Sequence, residues 1–220
     1  MAAPILSELV LFDLDGTITD PVAGITASMR HALTEVGHPV DDATDLTWIV
    51  GPPLRENLVR LDVPAEHHDA AVASYRARHL DVGLYEATLV PGMVDVLEAL
   101  LAAGRRLALA TAKPEVQARM TLEHFGIDHC FEAVGCASLD GTRTSKAAIV
   151  ADALDQLGAD SGAGTVMVGD RRHDVDGGRA NGCVTVAVLW GYAEDHELDD
   201  CRPDHRAAVP ADLLELLIGS

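Results

Sequence analysis

The chain has 220 residues, 48% hydrophobic and 23% charged, with a formal net charge of -19. These values fit a globular protein with a sizeable core, folded as one large domain or two smaller ones. The acidic balance argues against a nucleic-acid partner and against an anionic membrane surface, because both are bound through Lys and Arg.

Cys130, Cys136, Cys183 and Cys201 form no C-x-x-C pair and are expected to be reduced thiols in a cytoplasmic protein. Neither Cys/His spacing nor an i, i+4 histidine pair backed by acids predicts a zinc site. The N-terminus has no basic stretch, and Asp13 interrupts its apolar run, so no signal peptide is expected. No apolar stretch is long enough to predict a membrane span.

In chain order, "LVLF" (9–12) reads as a buried strand and runs straight into "DLDGT" (13–17). Residues 21–83 contain no such run. Val22–Val36 is helical up to Gly37, Pro52 and Pro53 open a helix through Leu61, and Pro64–Leu80 is another helix. Helices are then predicted over Met93–Ala103, Pro114–Phe125 and Lys146–Leu157, stopped by Gly104, Gly126 and Gly158. Strands are predicted at Leu107–Ala110, Val166–Val168 and Val184–Leu189, and "VPADLLELL" (209–217) is a closing helix. The strand runs are short and nearly continuous, as in strands buried on both faces of a parallel sheet. The expected architecture is therefore a doubly wound α/β sheet, with a core of 1–20 plus 84–220 and an inserted helical cap of 21–83.

In such sheets ligands bind at the carboxyl ends of the strands. Three strand runs end in Asp13, Thr111 and Asp170. With Asp15 and Asp174 the acids form a patch of like charge, which a hard, oxygen-liganded cation such as Mg²⁺ would relieve. Two neighbouring carboxyls can divide the work, one as a nucleophile and one as an acid and then a base. Thr111 and Lys146, the latter one of only two lysines in the chain with Lys113, could hold the charge of a transferring phosphoryl group.

"DLDGT" at 13–17, "AT" at 110–111, Lys146 at a helix start and "GDRRHD" at 169–174 together resemble the haloacid dehalogenase superfamily of phosphohydrolases. The resemblance covers essentially the whole chain. It implies that Asp13 is the nucleophile that becomes an aspartyl-phosphate and that Asp15 is the general acid and base. It implies Mg²⁺ ligands in Asp13, the backbone carbonyl of Asp15, and Asp170, with Asp174 orienting the metal's waters. Thr111 and Lys146 would grip the phosphoryl oxygens. Gly16, Thr17, Ala112 and Lys113 lie inside or beside the matching motifs as candidate substrate-binding positions; Lys113 either lines the site or is exposed. Dehalogenases resemble this fold but lack the acid at the Asp15 position, and phosphonatases need a cap lysine, which residues 21–83 do not contain.

"ATAKP" (110–114), "VGPPL" (50–54) and "VGDRRHD" (168–174) look most like phosphoglycolate phosphatases, and similar chains are described as 5′-nucleotidases. The substrate is expected to be a small phosphorylated metabolite. Arg55, after the two prolines, is a candidate fork for a substrate carboxylate, or else a solvated helix residue. A catalytically silent phosphate-binding module is the alternative class; such a protein would be expected to have lost an Asp or the Lys, and this chain keeps them all.

Overall fold

The structure is a computed structural model that describes residues 5, 7–138, 142–159 and 164–219. Its contacts divide the chain into two compact units, Met1–Thr19 with Leu89–Ser220, and Asp20–Thr88.

The first unit is built on six parallel strands: β1 (Leu9–Phe12), β4 (Arg106–Pro114), β5 (Ala133–Ala137), β6 (Thr165–Gly169), β7 (Val184–Val188) and β8 (His205–Ala207). The missing numbers belong to a separate two-stranded sheet, β2 (Thr19–Asp20) with β3 (Thr88–Leu89). The six-stranded order is β5-β4-β1-β6-β7-β8. Alternation along β1 sorts the core into two layers. Val10 and Phe12 face one side, in a cluster with residues of α4 (Met93–Ala102), α5 (Glu115–Phe125) and α9 (Pro210–Ile218). Leu9 and Leu11 face the other, against Ile149, Val150 and Ala153 of α6 (Lys146–Leu157). Burial on both faces explains why these strands carry no polar alternation in sequence.

Two strands of this sheet were not expected. β5 reads "AVGCA", apolar but made mostly of small residues, and β8 reads "HRA". They lie at the two edges, where pairing to one neighbour fixes them despite weak strand propensity. Helix α7 (Arg172–Ala180) follows β6, and the short α8 (Glu197–Cys201) follows β7.

The second unit has its own core of Met29, Leu33, Leu46, Ile49, Leu58, Val63 and Ala71. These come mostly from α1 (Val22–Glu35), α2 (Leu54–Arg60) and α3 (His68–Asp81). It runs five residues past the expected boundary at 83. The reason is close packing: a Cβ on Gly24 of α1 would lie 1.9 Å from the Gly83 carbonyl oxygen, so the turn Gly83–Glu86 sits directly on α1. No described helix is long and apolar enough to cross a membrane. All four cysteines are buried and free.

Candidate active site

Strand order decides which residues meet. β1 lies between β4 and β6, with Phe12 in register with Leu109 and Val168. The Asp13 N–H extends the ladder by donating to the Val168 carbonyl at 2.9 Å. Asp13 and Asp170 therefore follow the last residues of β1 and β6, while Thr111 lies within β4, at the point where its register with β5 breaks before Pro114.

Lys146 is the first residue of α6, whose preceding Ser145 accepts a hydrogen bond from the Ala148 N–H. A lysine at a helix N-terminus opposes the helix dipole. Here it is offset by two carboxylates: Lys146 Nζ donates to Asp13 Oδ1 at 2.5 Å and lies 2.7 Å from Asp174 Oδ1. Asp174, in the first turn of α7, uses its other oxygen to accept from the Arg171 N–H at 2.9 Å. One side chain thus both caps a helix and holds the ammonium.

Asp15 makes a second, separate pair. Lys113 Nζ donates to both Asp15 oxygens at 2.8 Å, and Thr19 Oγ1 donates to Oδ1 at 3.2 Å. Lys113 is buried, which answers the question its sequence position left open, while Ala112 beside it is exposed. The Lys113 backbone N–H also donates to Thr111 Oγ1 at 3.2 Å.

Asp170 sits in a cradle. It accepts from the Tyr192 N–H at 2.7 Å and faces Thr17 Oγ1 at 3.4 Å. A Cβ on Gly16, whose φ is +90°, would fall 2.5 Å from its Oδ2, and one on Gly191 would fall 2.2 Å from its Cβ. Only glycine fits at Gly16 on both counts, backbone conformation and space. Trp190 Nε1 donates to the Thr17 carbonyl at 3.0 Å and so ties the DLDGT turn to the chain after β7.

Asp13, Asp15, Asp170 and Asp174 gather around the two ammoniums of Lys113 and Lys146. Burial, reinforced by Asp174 and Asp15, pushes the Asp13 carboxyl up to about 6 against the pull of Lys146. Burial, then Asp174 and Asp13, push Asp170 up to about 8. Burial alone would lower Lys146, but Asp13 and Asp174 hold it above its ordinary value, so it stays charged. Asp13, Asp170 and Asp174 each offer a carboxylate oxygen, and these lie within 4.8 Å of one another. An all-oxygen donor set whose carboxyls are pushed up by burial and by one another fits a hard divalent cation.

The geometry brings together every candidate named in the sheet unit: Asp13, Asp15, Gly16, Thr17, Thr111, Lys113, Lys146, Asp170 and Asp174, with Ala112 at the rim. Arg55 belongs to the helical unit. Its guanidinium pairs with Asp69 of α3, and it lies on α2, a helix of seven residues. Residues after β7 were missed by sequence reasoning: Gly191 and the Tyr192 N–H around Asp170, and Glu197. Glu197 accepts from Arg171 Nε at 3.0 Å and the Arg172 N–H at 2.6 Å, which fixes the GDRRHD loop. The signal available was a glycine three residues past the end of β7, in "WGY" (190–192).

Comparison with known proteins places this constellation. The profile of the haloacid dehalogenase-like hydrolases matches residues 10–188. The tyrosine-protein kinase PtkA of Mycobacterium tuberculosis is 46% identical over 192 residues, 87% of this chain. The chain spans 65% of that relative's length. A 5′-nucleotidase of Pseudomonas aeruginosa is 39% identical over 209 residues, 94% of each protein. A solved haloacid dehalogenase-like family hydrolase from Streptococcus pneumoniae superposes with a TM-score of 0.86 at 29% identity, covering 94% of this chain and 97% of its own.

Proposed function

The chain belongs to the haloacid dehalogenase-like hydrolases, and from that premise we propose that it is a Mg²⁺-dependent phosphatase of small phosphate monoesters, working through an aspartyl-phosphate on Asp13. The observation that carries this reading is the buried Asp13–Lys146–Asp174 contact beside Asp170 and the Lys113–Asp15 pair.

Each residue has a task there. Asp13 attacks phosphorus, and the bond to the leaving oxygen breaks. Lys146 and Thr111 hold the phosphoryl oxygens as charge spreads over them. Asp15 gives a proton to the leaving oxygen and then takes one from the water that hydrolyses the intermediate. Asp13, the Asp15 carbonyl and Asp170 would hold Mg²⁺, with Asp174 supporting its waters. When bound, the ion would favour the ionised forms of Asp13 and Asp170 against burial and their acidic neighbours.

The preferred substrate class is a small carboxylated ester such as phosphoglycolate, supported by the likeness of "ATAKP", "VGPPL" and "VGDRRHD" to that group. The helical unit is proposed as the cap that selects it. A second reading, nucleoside monophosphates, is favoured by the 39% identity to the Pseudomonas 5′-nucleotidase.

The test is hydrolysis of p-nitrophenyl phosphate with Mg²⁺, with EDTA, and by Asp13→Asn. The reading expects turnover only with Mg²⁺ and a loss of about 10³-fold or more in the variant, with the fold intact. A variant keeping a tenth of the activity would rule out the covalent route. Phosphoglycolate and nucleoside monophosphates, compared by kcat/KM, decide between the substrate readings.

A further inference from the structure

On the far side of the sheet unit from any motif, the first turn after α5 approaches α4. His129 and Cys130 lie in the short turn Asp128–Cys130, and Glu98 lies on α4. His129 Nε2 is 3.2 Å from Glu98 Oε1 and 3.5 Å from Cys130 Sγ. The three donor atoms all lie within 4.8 Å of one another.

One ring nitrogen faces both partners. A single N–H cannot point well at a carboxylate oxygen and a sulfur together, and the other ring nitrogen takes no part, so this is not a relay of the catalytic-triad kind. The spacing has another meaning. A tetrahedral ion about 2.0 Å from nitrogen and oxygen and about 2.3 Å from sulfur sets its donors roughly 3.3 Å (N···O) and 3.5 Å (N···S) apart. The two observed separations are close to those edges, and the Glu98 oxygen and Cys130 Sγ lie within 4.8 Å of each other.

We propose that Glu98, His129 and Cys130 form a site for a borderline divalent transition ion of the Zn²⁺ class, with water as the fourth ligand. Nitrogen, sulfur and a single carboxylate oxygen suit such an ion and not Mg²⁺, so the site is chemically distinct from the carboxylate centre at the strand ends. Cys130 is the inner ligand, almost fully buried, while Glu98 and His129 are more than half exposed and leave the ion open to solvent. Binding releases the thiol proton to solvent and forms a metal–thiolate bond. Burial, then Glu98 and Asp128, hold that thiol above its ordinary value, a cost that makes affinity moderate. A bound ion would tie α4 to the turn that leads into β5 and so stabilise the sheet unit.

The spacing rules for zinc did not find this group, because Glu98 is supplied by a helix some thirty positions earlier and His129 and Cys130 are adjacent.

The test uses Co²⁺ titrated into the full chain with excess Mg²⁺ present. A thiolate-to-cobalt charge-transfer band can arise only from a cysteine ligand. The proposal expects one Co²⁺ per chain with this band, displaced by Zn²⁺, and a Zn²⁺-dependent rise in Tm. Cys130→Ser and His129→Ala should abolish the band, Glu98→Gln should weaken Co²⁺ binding at least tenfold, and Cys183→Ser should leave it unchanged. His129 and Glu98 are surface residues, so their variants remain informative if Cys130→Ser does not fold. No band in the wild type, a band that survives His129→Ala, or unchanged affinity in Glu98→Gln overturns the site.

Discussion

The acids at the strand ends of the sheet unit and the Asp69–Arg55 pair of the helical unit live under opposite conditions. In the sheet unit Asp13, Asp170 and Asp174 are each less than a tenth exposed and share the buried ammonium of Lys146 or none. In the helical unit, which contains no lysine, the Asp69 side chain is 88% exposed beside an Arg55 that is 60% exposed. Exposed pairs of that kind contribute little and can be rearranged at small cost. Buried charges cost several kcal/mol each to desolvate, so a fold that gathers them gives up stability in return for reactivity. The contrast fits the proposed division of labour, in which the sheet unit performs the chemistry and the helical unit selects the substrate.

The sharpest way to break that contrast is Asp15→Asn. With alkyl phosphates, whose leaving oxygen needs a proton, kcat/KM should fall about 10²–10⁴-fold. p-Nitrophenyl phosphate, with its good leaving group, should lose much less. Equal losses on both would remove Asp15 from proton transfer.

Next in size is Lys146→Met. It leaves Asp13 and Asp174 buried with no ammonium, and removing one partner of a buried pair costs about 3–5 kcal/mol. Urea unfolding should show that loss along with the loss of activity. A variant as stable as the wild type would mean that the carboxylates find other compensation.

The smallest effect sharpens the other side. Arg55→Ala should leave stability and p-nitrophenyl phosphate turnover unchanged. If Arg55 exchanges Asp69 for a substrate carboxylate, kcat/KM for phosphoglycolate should fall by about 1.5–3 kcal/mol equivalent, roughly 10–100-fold. A parallel drop on both substrates, or on neither, removes Arg55 from substrate selection.

What the sequence made legible was governed by burial. β1, β6 and β7 announce themselves because strands covered on both faces must be apolar throughout, and the polar residues that end them stand out for the same reason. β5 does not, because its apolar residues are mostly small and interrupted by Gly135, and β8 does not, because this edge strand is short and largely polar. Asp13, Thr111 and Asp170 were legible as the ends of apolar runs. The pairing of Lys113 with Asp15 was not. β4 breaks register with β5 between Thr111 and Pro114, and a break of that kind re-aims side chains in a way no local pattern encodes. The glycine contacts around Asp170 were hidden too, since Gly16 and Gly191 matter only once two distant segments meet. The pairing of Arg55 was hidden as well: its partner Asp69 sits on another helix, where spacing along the chain says nothing.

The central place of β1 also shapes how the chain must come off the ribosome. Leu9 pairs with Arg106 on one side and Thr165 on the other. At a synthesis rate of about 5–20 residues per second, the first strand waits seconds for each neighbour. Throughout that wait both of its edges and both of its apolar faces lack native partners, the condition that invites aggregation or capture by a chaperone. The segment Asp20–Thr88 fills the interval with a core of its own. Its early collapse would shorten the loop that β1 and β4 must close, which lowers the entropic cost of their meeting. The insert would then serve assembly before it serves any substrate.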